Sequence, residues 1–290
     1  GPRSESPYTS RRLAALARDL GTGAGTAAMT QTAGELVCVG TGMLLGGHLS
    51  PRARTEIERA DVVYAAMSDG LVELWLQQIN PRFISLQPLY REGRSRRHSY
   101  EDMVATMIDA VCAGKRVCGA FYGHPGVFAW VAHEAIRQAR ALGLAARMEP
   151  GISAEDCLYA DLGIDPGSCG CQHYEASQWM LYRRRVDRAA YLILWQVAIA
   201  GDRSLARFAT SSAYRALLVE VLRRDYPADH PIILYRAATS PLDTAQIRHA
   251  RLAELPELAV DLADTLVLPP AEAMQPDIEV MLRLDALDEA

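Results

Sequence analysis

The chain has 290 residues, of which half are apolar and 22% are charged, with a formal net charge of −5. That size holds one large or two mid-sized domains, and the composition is ordinary for a soluble globular protein. The acidic balance gives no hint of a nucleic-acid surface, and no apolar run approaches the ~18 residues that span a bilayer. No charged-then-apolar secretory signal is visible and the six cysteines are scattered, so a cytoplasmic protein without nucleic-acid or membrane partners is expected. Cys169 and Cys171 flank Gly170 without a CxxC or His-x-x-x-His companion, which argues against a metal site.

In chain order, Gly1-Pro2 reads as the scar of a cleaved tag. Residues 3–34, rich in Ser, Thr, Gly and Ala, read as a mostly flexible extension with one amphipathic stretch at 11–20. From Glu35 the pattern is strand, loop, helix, repeated. Apolar runs at 35–39, 61–66, 83–86, 116–121 and 145–148 predict buried strands. Helices are predicted from Ser50-Pro51, over 71–79, from Tyr100 to a stop at Gly114, and along Phe128, Val131, Ala132, Ala135, Ile136 and Ala139. This alternation predicts a parallel, doubly wound sheet. After Gly151 the rhythm changes: strand-like runs at 172–176, 191–197, 231–235 and 265–268 surround a helix at 214–224, and a last helix covers 277–287. An N-terminal α/β domain at 35–150, a mixed α/β domain at 151–270 and a terminal helical segment at 271–290 are therefore expected.

Three segments carry chemistry. Gly40-Thr41-Gly42 follows the first strand, where open sheets place ligands at the carboxyl ends of strands, but it lacks the third glycine and acidic partner of a dinucleotide fingerprint. Tyr122-Gly123-His124-Pro125-Gly126-Val127-Phe128 combines two glycines and a proline, which fix a sharp turn and permit close backbone approach. In Pro150-Gly151-Ile152-Ser153-Ala154-Glu155, Ser153 can cap a helix with Asp156 three residues on. Each segment taken singly is equally consistent with a plain strand-to-helix turn.

Together, and in this order, they resemble the signature loops of the tetrapyrrole methylases. That resemblance implies a two-domain α/β fold with S-adenosylmethionine (SAM) in the cleft between the domains. Within the family, these loops and Asp161-Leu-Gly-Ile-Asp-Pro166, Tyr174-Glu-Ala-Ser177, Leu194-Trp-Gln196 and the loop from Tyr90 through Arg96 to Tyr100 look like the borosin peptide N-methyltransferases. The likeness runs from about residue 35 to 270. It implies a catalytic cluster of Tyr90, Arg96 and Tyr100. It also implies cofactor contacts from Gly40, Thr41, Gly42, Tyr122, Gly123, His124, Val127, Phe128, Ser153, Ala154, Gln196 and Tyr235. His124 is expected to shape its loop rather than act as a base. Gln196 is read as a buried amide that needs partners.

The chemistry suits such a cluster. An amide nitrogen is a poor nucleophile because its lone pair is delocalised into the carbonyl. Methylation requires loss of its proton while negative charge grows on the oxygen, so a tyrosine could serve as base or relay and an arginine as oxyanion donor. On residue type alone, Arg91, Arg94, Arg96 and Arg97 form a solvated basic loop and Tyr100 a core residue equally well. The resemblance implies iterative N-methylation of backbone amides, with S-adenosylhomocysteine as by-product, in a homodimer or a heterotetramer with two precursor chains. No apolar tail follows 265–290, which looks like the split arrangement with a separate precursor peptide. The alternatives are a porphyrinoid methylase of the same fold and a non-catalytic SAM-binding module.

Overall fold

The computed structural model describes residues 33–67, 69–90 and 93–290. The tag scar, the 11–20 stretch with nearly all of the N-terminal extension, and Arg91 of the basic run lie outside the described residues.

The first half runs β1 (Glu35–Gly40), α1 (Pro51–Arg59), β2 (Val62–Ala65), α2 (Gly70–Ile79), β3 (Phe83–Ser85), α3 (Arg96–Cys112), β4 (Arg116–Phe121), α4 (Val131–Ala141) and β5 (Ala145–Glu149). The five strands form a wholly parallel sheet in the order β3-β2-β4-β1-β5. Alternate side chains of each strand feed opposite faces. Leu36, Cys38, Val62 and Tyr64 pack with α3 and α4, while Val37, Val39, Val63 and Ala65 pack with α1 and α2. Helices cover both sides of the sheet, which is why its central strands β1, β2 and β4 read as largely apolar runs, whereas edge strand β5 carries Arg147 and Glu149. Local signals set the helix starts: the Ser50 hydroxyl accepts from the Ala53 N–H with Pro51 next in line, and Asp69 accepts from Leu71.

The second half contains α5 (Ala154–Leu162), α6 (Pro166–Cys169), β6 (Cys171–Glu175), α7 (Ala176–Leu181), β7 (Tyr191–Trp195), α8 (Ser212–Leu222), β8 (Pro231–Arg236), β9 (Gln246–Arg251), β10 (Thr265–Leu268) and α9 (Ile278–Asp288). Its sheet has the order β6-β7-β10-β8-β9, with β6 and β7 parallel and the remaining pairs antiparallel. The expected fold class holds, a parallel doubly wound sheet followed by a mixed one. Strand β9, by contrast, escapes the apolar pattern. Its sequence Gln-Ile-Arg-His-Ala-Arg is an exposed edge, held by main-chain pairing to β8 rather than by burial. Among the described residues no helix is long and apolar enough to cross a membrane.

Candidate functional site

At the carboxyl end of the first sheet, three glycine-bearing loops meet backbone to backbone. Gly42 and Gly123 exchange two hydrogen bonds, Gly42 N–H to the Gly123 carbonyl at 3.1 Å and the reverse at 3.0 Å. A Cβ on Gly40 would lie 2.2 Å from the Gly123 oxygen and 2.8 Å from Gly151 Cα, and one on Gly151 would lie 2.3 Å from the same oxygen. Gly42 and Gly123 also hold φ of 75° and 66°, where a side chain is disfavoured. The loops after β1, β4 and β5 thus interlock through their lack of side chains. Two histidines brace them: His48 Nδ1 accepts from the Met43 and Leu44 amides, and His124 Nδ1 accepts from the Gly126 amide at 2.9 Å. His124 is a loop-shaping residue in this geometry, as read from the sequence.

Beyond these loops opens a cavity of about 740 Å³, shared between the two halves of the chain. Tyr122, Gly123, His124, Val127, Phe128, Ser153, Ala154, Gln196 and Tyr235, which the resemblance implies as cofactor contacts, line it. Gly40, Thr41 and Gly42 are not part of that lining among the described residues; Thr41 is buried, with its hydroxyl donating to the Phe121 carbonyl. Gln196 corrects the sequence reading. It is exposed and stands just past β7 with φ 55°, so it is a strand terminus facing the cavity and not a buried amide. Ser153 makes the predicted capping box with Asp156, starting α5 at the cavity wall. Tyr235 offers its ring, because its hydroxyl is spent on Asp161 at 2.5 Å.

Sequence reasoning missed Trp195, Arg236 and the 237–239 and 242–244 segments, which complete the wall. The available signal was their position at the carboxyl ends of β7 and β8, a general location for ligands in open sheets. Trp195 is positioned from behind. Its indole N–H donates to His173 Nδ1 at 3.0 Å, and its ring lies 5.5 Å from that of Phe128. His173 Nε2 meets the Tyr159 hydroxyl at 2.7 Å, and Tyr159 donates to Glu155 at 2.7 Å. Acceptance at Nδ1 puts the imidazole proton on Nε2. Burial lowers the His173 pKa against the opposing pull of Glu155, favouring the neutral ring.

Tyr90, Arg96 and Tyr100 come together beside the first core cluster, which Phe121 also touches, and none of the three lines the cavity. The sequence predicts the helix from Tyr100; it begins four residues earlier, so that Arg96, read as part of a loop, stands with Tyr100 on the first two turns of α3, on one helix face. The Tyr90 and Tyr100 rings meet edge to face at 5.9 Å. Burial, with the Tyr100 hydroxyl beside it, raises the Tyr90 pKa well above the ordinary phenol value despite the nearby Arg96 charge. Tyr90 is therefore a protonated phenol and not a standing phenolate. Arg96 Nη1 donates to the Arg207 carbonyl at 2.6 Å, and Nη2 reaches Asp202 Oδ2 at 3.3 Å.

Residues 35–256 match the family of tetrapyrrole (corrin/porphyrin) methylases. The chain belongs to the tetrapyrrole methylase family. A methyltransferase/ribosomally synthesised type I borosin cyclic peptide precursor from Coprinopsis marcescibilis is 40% identical over 225 residues, covering 77% of this chain and 58% of the relative. The methyltransferase/omphalotin A precursor of Omphalotus olearius is 36% identical over 263 residues, 89% of this chain and 63% of the relative. The chain thus spans about three-fifths of the length of these relatives. Among solved structures, uroporphyrin-III C-methyltransferase from Thermus thermophilus superposes with a TM-score of 0.59 at 21% identity, over 81% of this chain and 94% of that one. A cobalt precorrin-4 methyltransferase gives 0.58 at 16% identity, over 84% and 98%.

Tetrapyrrole methylases use SAM, and the cavity residues of this family member fit such a ligand. Aromatic rings of Tyr122, Phe128 and Trp195 offer flat apolar surface, and the carboxylates of Glu155 and Asp243 suit a cationic sulfonium. Of the interlocked glycines Gly123 lines the cavity, and a Cβ on Gly40 or Gly151 would strike its carbonyl from behind.

Proposed function

We propose that this chain is a SAM-dependent methyltransferase that modifies successive backbone amides of a ribosomally made precursor peptide, supplied as a separate chain. The observation that carries the reading is the pairing of the glycine-floored cavity with the Tyr90–Arg96–Tyr100 cluster, in a chain 36–40% identical to methyltransferase/peptide-precursor proteins.

When bound, SAM supplies an electrophilic methyl group on a sulfonium. Tyr122, Gly123, His124, Val127, Phe128, Ser153, Ala154, Gln196 and Tyr235 hold it, with Trp195 as a further wall and Gly40, Thr41 and Gly42 fixing the floor from behind. Arg96 donates hydrogen bonds to the amide oxygen as it gains charge, a role that needs donors aimed in advance. The amide proton leaves through Tyr100, which takes it as it passes its own phenolic proton on to Tyr90 or to solvent, so both phenols end protonated and one proton reaches water. Exposed apolar side chains at Tyr122, Phe128 and Trp130 give a peptide with apolar residues a surface to lie on.

The subunit acts as a homodimer, with one precursor chain per subunit in a heterotetramer. Support comes from α9: Ile278, Met281, Leu282 and Leu287 are each at least half exposed, and the helix buries none of its residues. A helix with large apolar side chains exposed around its circumference calls for a partner, and a second copy is the partner proposed. Light scattering on the full chain tests this, a monomer mass at micromolar concentration being the contrary result. The catalytic reading is tested by incubating the chain with SAM and a separate apolar peptide. Methyl groups on backbone nitrogens of the peptide support it, and methyl groups only on side chains or on a porphyrinoid contradict it.

A further inference from the structure

The segment after β7 contributes to the site in a way that neither its sequence nor the comparisons assign. Asp202 is a carboxylate whose side chain is 1% exposed, and its oxygens are fully engaged. Oδ1 accepts from the Ser204 amide at 2.9 Å and the Ser204 hydroxyl at 2.6 Å. Oδ2 accepts from the Arg207 amide at 3.2 Å and from Arg96 Nη2 at 3.3 Å. The same short segment reaches α3 through its main chain. The Leu205 carbonyl accepts from the Arg96 amide at 2.6 Å and the Ala206 carbonyl from the Gly93 amide at 3.1 Å.

Two features separate this from an ordinary surface ion pair. First, Ser95 makes no side-chain cap at the start of α3, so the first amide of the helix is satisfied by Leu205 from the second half of the chain. Leu205 holds φ 56°, an uncommon conformation for a branched side chain, while aiming that carbonyl. Second, the guanidinium of Arg96 has five N–H donors. The Arg207 carbonyl and the Asp202 carboxylate engage two of them among the described residues, one on each terminal nitrogen. Two anchors on opposite nitrogens fix the plane of the group and the direction of its remaining donors. A planar donor fork is useful to an oxyanion only when its orientation is set before the charge appears.

We propose that residues 202–207 form a holder for Arg96, in which Asp202 is a positioning residue that fixes the guanidinium plane presented to the substrate amide. The Leu205 carbonyl fixes the helix turn on which Arg96 and Tyr100 stand. This rests on the reading of Arg96 as the donor to the reacting amide. The first half of the chain supplies the arginine and the second half sets its aim, so the cluster is competent only when the two halves are docked.

The test uses the full chain and two variants, Asp202→Asn and Ser204→Ala, with two readouts. The first is nitrogen NMR of the arginine side chains without substrate, Arg96 being assigned by the signal lost in Arg96→Lys. The wild-type protein should give separate, slowly exchanging Nη signals for Arg96, and Asp202→Asn should merge them. The second is methyl transfer to an apolar peptide at saturating SAM. Asp202→Asn should slow transfer at least ~30-fold, with KM for peptide within ~3-fold, and should have under ~3-fold further effect in an Arg96→Lys background. Ser204→Ala keeps the charge and removes two hydrogen bonds, Ser204 Oγ to Asp202 and Ala206 N–H to Ser204 Oγ, so a loss of ~3- to 10-fold is expected; it serves as the decisive variant if Asp202→Asn does not fold. Separate Nη signals in the variants together with wild-type-like rates would overturn the holder, as would an undiminished loss in the Arg96→Lys background. Failure of the wild-type chain to methylate any peptide amide would instead refute the backbone-methylation reading, while the NMR comparison still decides whether Asp202 orders Arg96.

Discussion

Arg96→Lys keeps the positive charge and removes the planar fork. If the fork stabilises the amide oxygen, the substitution should raise the barrier by about 2 kcal/mol or more, roughly 30-fold in single-turnover rate, with affinity for S-adenosylhomocysteine unchanged. Near-normal turnover would remove Arg96 from the chemistry. Tyr90 gives a prediction with a sign. Its folded-state pKa is raised by burial and by Tyr100, so below the ordinary phenol range both folded and unfolded chains keep the proton and stability is flat. Above that range the unfolded chain ionises first and stability falls as pH rises. Tyr90→Phe should soften the alkaline loss of melting temperature; Tyr159 and Tyr235, also raised by burial, would sustain the remainder. An unchanged alkaline profile in the variant would contradict the buried, neutral Tyr90. At this scale sequence and structure part at Gln196. One polar residue after an apolar run reads equally as strand interior or strand end, and nothing in its type announces φ 55°. Arg96 reads as loop because the arginine-rich run has no apolar period to mark the helix start, which lies four residues before the predicted one at Tyr100 and which Leu205 caps from distant sequence.

Among elements, the interlocked loops make the sharpest contrast with an ordinary glycine turn. Gly40→Ala would drive a Cβ to 2.2 Å from the Gly123 carbonyl, a clash with backbone that no rotamer relieves. It should cost about 1–3 kcal/mol in stability or more and weaken S-adenosylhomocysteine binding by displacing the cavity floor. Gly163→Ala is the control: Gly163 ends α5 at φ 66° with nothing within 4 Å of a built Cβ. It should cost about 1–2 kcal/mol from conformation alone and leave binding intact. Denaturant titration with calorimetry of both variants separates the two, and equal effects on binding would refute the floor. These loops were legible because strand-end glycines, proline and a capping serine follow local rules. Strand β9 was not, since its stability comes from partner β8 and its side chains are mostly exposed.

For the whole molecule, the parallel sheet could be read from the strand–helix rhythm because its central strands β1, β2 and β4 are buried on both faces and therefore largely apolar. The strand order of the second sheet could not, because β10, last in sequence, inserts between β7 and β8 through pairings that no local pattern encodes. The cavity inherits that limit. The smaller part of its wall comes from the loops after β1, β4 and β5, and the larger part from strand ends and loops of the second sheet that only the tertiary fold brings near. We propose that this cavity and the Tyr90–Arg96–Tyr100 cluster act together on peptide backbone amides. Fragmentation mass spectrometry of a synthetic peptide of successive apolar residues, after incubation with the full chain and SAM, tests this. Mass gains in whole multiples of one methyl group are expected, each located on a backbone nitrogen of the peptide and none on the protein chain. Methyl groups confined to side chains, carried by the protein itself, or absent from a peptide that binds would contradict it.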